Sequence, residues 1–404
     1  WLKPVCSIPA TSAIVKPSPA EQVPWIAGCG ASHGSWADQH LRSPRERHGT
    51  RWELGLGLAM RCGVVCFFTL LGGVALYAGI VARDRLVAEL HVLSAALQPH
   101  LLEGTAEAAE ATLATQRVPI VTFETRSERR SFTMPGVPGR AVRNVGAGVD
   151  PVEGWRTRAL EYRRWLEAEA VREPERVVIL ADAGDLIFGG CSEEQLLAAY
   201  NATVEASGGA RVVFGAEFGG YPQNFTWESY RALEDRMHAV LRAHRLGEPP
   251  YERFADCGLL SGHCPPPPSY AYLNAGFMMG PVARLLRVMV LILEELRHIT
   301  NYQLSSHRVL AQHPEDITLD YAGALVLNIG HFTRSAVGAA GAPDAAGRVL
   351  EAAPGDVRNR VLGSSQCFVH GQSISGKLHV GALVWMLRRG PAPGYPLLEL
   401  LWKL

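Results

Sequence analysis

The stretch VVILADAGDLIFGG, Val177 to Gly190, decides how the rest of the chain is read. Val177, Val178, Ile179 and Leu180 form an apolar, largely β-branched run that suits a strand covered on both faces. Asp182 and Asp185 follow at once, before Leu186, Ile187 and Phe188 resume the apolar pattern. Carboxylates at the end of a buried strand are costly unless something pairs with them. In that position they cap a helix, hold a cation or do chemistry.

Outward from this stretch the pattern alternates. VPIVTFET (118–125) and AVRNVGAG (141–148) read as short strands before it. Between them and the Asp pair, GWRTRALEYRRWLEAEA (154–170) reads as an amphipathic helix, with Trp155, Leu160, Tyr162 and Trp165 on its apolar side and the arginines opposite. After the pair come a helix over 192–206, a strand over 211–217, a loop from Phe218 to Phe225 and a helix over 227–245. Ser192 with Gln195 has the spacing of a capping box. CPPPPS (264–269) excludes helix and sheet interior, since proline lacks the donor, and reads as a rigid approach to YAYLNAGFMMG (270–280). The apolar helix that follows carries Arg284, Arg287, Glu294, Glu295 and Arg297, which suits a core helix and not lipid. DITLDYAGALVLNI (316–329) gives a strand pair or a strand and turn, and CFVHGQSISGKLHVGALVW (367–385) closes the domain. Strands alternating with helices imply an α/β sandwich.

The 404 residues allow one large domain or two ordinary ones, and 48% apolar residues supply a proper core. Lys and Arg total 39 against 39 Asp and Glu, so bulk electrostatics points to no nucleic-acid partner. Residues 1–59 lack a sustained period and are rich in Pro, Ser and Gly, reading as disordered or untranslated ahead of Met60, the first methionine. Cys62 to Ala82 carries no charge and is long enough to span a bilayer, so 60–82 is expected to be a signal anchor or a signal peptide. The competing reading makes GVVCFFTLL the first buried strand. Residues 83–115 suit a helical stem, 116–385 the main domain and 386–404 a tail.

Two sequons, Asn201-Ala-Thr203 and Asn224-Phe-Thr226, fit a secretory route. After the apolar stretch the cysteines are Cys191, Cys257, Cys264 and Cys367; Cys257 and Cys264 bracket a short loop and form either a disulfide or two free thiols. Their spacing does not read as a zinc site.

In open α/β sheets ligands collect beyond the carboxyl ends of strands, where Asp182 and Asp185 lie. Their hard oxygens suit Mn²⁺ or Mg²⁺ bridging to phosphates, while a helix cap or turn explains the pair equally well. A phosphatase with an aspartyl nucleophile needs D-x-D, and position 184 is Gly. In HGQSISGK (370–377), Gly371 and its neighbours let backbone N–H groups approach an anion and Lys377 adds a point charge; the plain alternative is a surface turn. Asn274 offers an amide to a ligand and Gly276 permits close backbone approach, or the two belong to a tight turn. Glu217 ends a strand and either meets a ligand or caps the next turn.

The order ILADAGDLIF, VVFGAE with YP, YLNAGFMMG, ITLD and HG with GK resembles the glycosyltransferase domain of the procollagen lysyl hydroxylases and its stand-alone relatives, over roughly Val118 to Trp385. The resemblance implies a GT-A-like, nucleotide-sugar-binding α/β/α sandwich with a mostly parallel central sheet. It implies Asp182, Asp185 and His370 as the ligands of Mn²⁺ (or Mg²⁺), and a UDP-sugar as donor. It further implies Glu217 along the sugar cleft and a phosphate contact among Arg156, Arg158 and Arg163. The acceptor it implies is a hydroxyl of a protein or glycan, hydroxylysine or its galactosylated form in the family. The place implied is the endoplasmic reticulum or Golgi lumen, membrane-anchored, or secreted if 60–82 is cleaved.

Departures accompany the likeness. Asn301-Tyr302-Gln303 stands where the family has D-D-Q, Gly184 replaces an aromatic, Ala275 a serine, and the cysteine and tryptophan after AE are absent. The lysine after His370 comes one residue late. Glu294, Glu295 and Asp320 are the carboxylates at hand to replace the lost aspartates. A non-catalytic protein that binds sugar nucleotide or glycan is the alternative function these changes support.

Overall fold

The computed structural model describes residues 106–126, 128–136, 139–150, 154–219, 233–256, 270–340 and 347–389. The expectations for 1–59, 60–82, the stem before residue 106, Asn224, Cys257–Cys264, the proline run and residues 390–404 lie outside the described residues.

After a short helix, α1 (Ala106–Thr115), come β1 (Ile120–Thr122), β2 (Ser131–Met134) and β3 (Arg140–Asn144). Helix α2 (Trp155–Ala170) leads to β4 (Val177–Ala181) and β5 (Leu186–Phe188), the two apolar runs on either side of the Asp pair. Helix α3 (Glu193–Ala206) begins with the expected capping box: Ser192 Oγ accepts from Gln195 N–H and Gln195 Oε1 accepts from Ser192 N–H. Then follow β6 (Val212–Glu217), α4 (Glu234–Ala243), β7 (Tyr272–Pro281), α5 (Val282–Glu295), α6 (Tyr302–Gln312), β8 (Ile317–Asp320) and β9 (Val326–Asn328).

The central sheet runs β2-β3-β1-β4-β7-β6-β9, and the closing strand β14 (Phe368–His370) continues it to β5, with β8 also pairing with β6. β1 pairs in parallel with β3 and β4, β6 with β8 and β9, and β9 with β14. β7 runs antiparallel between β4 and β6, and β5 antiparallel to β14. The sheet is therefore mixed, and its longest strand opposes its neighbours. All ten residues of β7 are buried, so LNAGFMMG is a core strand and not a tight turn.

Alternate residues of β4 enter two different cores. Val178 and Leu180 share one with Tyr162 and Leu166 of α2 and Leu285 and Met289 of α5. Ile179 and Ala181 share the other with Leu196 and Tyr200 of α3. Helical cover on both faces is the α/β arrangement the alternating pattern implied, and it explains why β4 has no polar face. Each fully buried Leu or Ile here contributes roughly 1.5–3 kcal/mol.

Between β9 and β14 lies a second, four-stranded sheet: β10 (Val337–Ala339), β11 (Leu350–Ala353), β12 (Asp356–Asn359) and β13 (Ser364–Ser365). Helix α7 (Ser373–Arg389) follows β14 directly. HGQSISGK is thus a strand end running into a helix, which corrects its reading as a glycine-rich loop. Gly371 and Gly376 serve packing: a Cβ on Gly371 would lie 2.4 Å from Gly376 O, and one on Gly376 2.6 Å from Gly371 C. Among the described residues no helix is long and apolar enough to cross a membrane.

Candidate metal centre

Because β4 and β6 both oppose β7, and β9 and β14 run with β6, these strands all end at one edge of the sheet. Asp182 follows β4, Glu217 ends β6, Asn328 ends β9 and His370 ends β14. Sequence neighbours did not bring them together; strand direction did.

Asp182, Asp185 and His370 each offer a ligand atom, all within 4.8 Å of one another. His370 Nε2 lies 3.2 Å from Asp185 Oδ1 and 3.8 Å from Asp182 Oδ2. It is buried and makes no well-aligned hydrogen bond among the described residues. An imidazole nitrogen left in that state beside two carboxylates fits a cation ligand. The space above it is kept by Gly276, where a Cβ would fall 2.3 Å from His370 Cε1 and 2.9 Å from Asp182 Oδ2. The donor set, one nitrogen and two carboxylates, suits a divalent cation such as Mn²⁺. These residues therefore fit the metal that the sequence resemblance implies.

The charges are coupled. Burial alone would lower the affinity of His370 for a proton, but the Asp185 carboxylate, and after it Asp182, hold the imidazole above its ordinary pKa. Burial likewise opposes ionisation of Asp185, yet His370, Lys377 and Arg158 keep it below the usual carboxylate range. Lys377 Nζ stands 4.0 Å from Asp185 Oδ2.

The helical period places Arg158 on a solvated face and Trp155 on the apolar side of α2. The structure inverts this: Arg158 is buried, while Trp155 is 51% exposed. The guanidinium contacts Asp182 Oδ1 and lies 5.9, 5.3 and 5.1 Å from the ring centroids of Trp155, Tyr162 and Tyr302. A carboxylate and aromatic faces offset the cost of burying this cation. Tyr302, standing where the resembled family has an aspartate, is one wall of that aromatic box.

Glu217 lies beside this centre in a cradle of amides. Its Oε1 accepts from Gln303 Nε2 at 2.5 Å, and its Oε2 accepts from Asn274 Nδ2 and from Gln372 Nε2 at 3.1 Å each. Burial outweighs these hydrogen bonds and pushes its pKa up to about 7. Asn274 is oriented by accepting from Gly276 N–H through Oδ1, so its amide faces Glu217. Gly371 N–H donates to Asp185 O at 2.7 Å and is committed to the protein, which removes it from the expected anion-binding backbone.

Of the replacement carboxylates, Asp320 and Glu295 are engaged elsewhere. Asp320 accepts from the N–H groups of Ala324, Leu325 and Val326, closing the turn between β8 and β9, and Glu295 faces Arg308 at 3.5 Å. Asn328 and Gln372 carried no signal in the sequence reading. Asn328 sits in an apolar strand, and only the register of β9 against β14 sets it beside His370.

Cys191 and Cys367 form a disulfide between the segments that follow β5 and precede β14. The sequence paired neither; antiparallel pairing of Phe188 with Phe368 brings their ends together. No protein-family model matches the chain, and no curated protein matches it.

Proposed function

We propose that the chain is a metal-dependent glycosyltransferase that moves a hexose from a UDP-sugar to a hydroxyl of a protein or glycan. The observation that carries this reading is the convergence of Asp182, Asp185 and His370 at the carboxyl edge of the sheet, with Arg158 and Lys377 on its flanks. A bound Mn²⁺ or Mg²⁺ supplies charge that stabilises a departing diphosphate. Asp182, Asp185 and His370 hold it. Set against two carboxylates, a divalent ion, the guanidinium and the ammonium leave a local excess of two positive charges. That excess matches a nucleoside diphosphate and exists although the whole chain is neutral. Glu217, Asn274 and Gln303 lie beside the centre as polar groups for sugar hydroxyls. The motif order that resembles the procollagen hydroxylysine glycosyltransferases extends the reading to their class of donor and acceptor. The Cys191–Cys367 disulfide supports work in an oxidising lumen such as the endoplasmic reticulum or Golgi.

One observation favours a second reading, a protein that binds sugar nucleotide or glycan without turnover. At the start of α6 the aspartates of the family give way to Asn301 and Tyr302, and Tyr302 is buried against Arg158. Incubating the purified protein with Mn²⁺, a panel of UDP-hexoses and hydroxylysine peptides, while measuring UDP release, separates the two. Turnover that disappears in Asp182→Ala supports the transferase. Metal-dependent UDP binding without turnover supports the second reading, and absence of both turnover and binding contradicts each.

A further inference from the structure

We propose that Asn328 is a positioning residue that fixes the tautomer of His370 and aims Nε2 at the metal. The inference rests on the metal reading of Asp182, Asp185 and His370. Asn328 and His370 are direct partners in the parallel register of β9 and β14, so their side chains share a face. Asn328 Oδ1 lies 2.6 Å from His370 Nδ1. Which end of the amide faces the ring is set by the other end, because Nδ2 donates to Ala216 O at 2.6 Å. The backbone N–H of Asn328 donates to Tyr270 Oη at 2.8 Å, which holds the strand end in place. An amide oxygen has no proton to give. Nδ1 must therefore carry one, and in the neutral ring Nε2 is the nitrogen left for an ion.

Both residues are buried, so water offers no competing partner that would turn the ring. A third residue makes the arrangement possible. A Cβ on Gly215 would fall 2.6 Å from Asn328 Nδ2, and β6 changes register against β7 between Phe214 and Gly215. Glycine at this irregularity leaves room for the carboxamide. The chain thus runs Gly215, Asn328, His370, metal, each residue placing the next. Partners of this kind, hydrogen-bonded to a ligating histidine, change metal affinity roughly 10–100-fold when removed.

The test uses the whole protein and two ions, Mn²⁺ for affinity and ¹¹³Cd²⁺ as a diamagnetic probe. Free Mn²⁺ is counted by electron paramagnetic resonance, and imidazole ¹⁵N signals are assigned to His370 by their loss in His370→Gln. In the unaltered protein, ¹¹³Cd coupling is expected at Nε2 with a proton retained on Nδ1. Asn328→Leu is expected to weaken Mn²⁺ binding roughly 10–100-fold. Asn328→Asp keeps an acceptor for Nδ1 but loses the donor to Ala216 O, and is expected to recover part of that affinity. Gly215→Ala, which displaces the amide without deleting it, is expected to behave like Asn328→Leu. Coupling at Nδ1, or unchanged Mn²⁺ affinity in Asn328→Leu, overturns the proposal. Where a variant fails to fold, the spectrum of the unaltered protein still decides. Where that protein binds neither ion, the metal reading fails, and the metal-free ring at alkaline pH decides the role of Asn328: a proton on Nδ1 keeps it, one on Nε2 removes it.

Discussion

Glu217 is a carboxyl with amide donors on both oxygens and no ion pair among the described residues, and burial outweighs those donors. Its pKa rises from 4.5 to about 7, so the folded protein holds a proton that the unfolded chain has released. The stability this contributes is full below about pH 4.5 and is lost as pH rises through about 7. Glu217→Gln carries no such proton. The unfolding free energy of the variant relative to the unaltered protein is expected to rise by about 3 kcal/mol between pH 5 and pH 9. Urea denaturation across that range checks it, and a difference independent of pH contradicts it. Gly276 gives a second residue-level expectation, since a Cβ there would strike His370 and Asp182. Gly276→Ala is expected to cost about 1–3 kcal/mol of stability and to weaken Mn²⁺ binding more than tenfold, by urea melts and by counting free Mn²⁺. Asp182 and Asp185 were legible in the sequence because carboxylates interrupt an apolar strand. His370 entered only through the resemblance in motif order, since one histidine after a short apolar run has no local signature. Arg158 was misread because helical periodicity assigns arginine to water, and periodicity carries no information about a carboxylate waiting at the end of the next strand.

At the scale of elements, the centre depends on β5 staying paired with β14. Asp185 immediately precedes β5 and His370 ends β14, so the antiparallel pairing of Leu186 with His370 sets their spacing. The Cys191–Cys367 disulfide clamps the other end of this ladder and closes a separation of 176 residues. Removing it through Cys191→Ser with Cys367→Ser is expected to cost about 2–5 kcal/mol in urea denaturation and to weaken Mn²⁺ binding. Unchanged stability and unchanged affinity in that variant contradict a clamping role. Helices α2, α3 and α5 and strands β4 and β6 were legible because each has a clear period or an apolar run bounded by turns. β7 and α7 were not. The glycines of LNAGFMMG and SISGK imitate turn chemistry, yet here they relieve crowding inside a strand and against a neighbouring backbone.

For the molecule as a whole, balanced charge leaves no long-range field to gather an anionic substrate. Under the proposed function, binding comes from the few groups that strand direction gathers at one edge, around the space between Asp182, Asp185 and His370. Ligands joined there tie β4, β5 and β14 together, so metal and nucleotide are expected to stabilise the fold by mass action. The most direct measurement is an isothermal titration of the metal-free protein with UDP, with and without Mn²⁺, repeated on His370→Ala. UDP binding that requires Mn²⁺ and is lost in the variant is the expected result. UDP binding of equal strength without the metal, or Mn²⁺ binding that survives the loss of His370, would contradict the account.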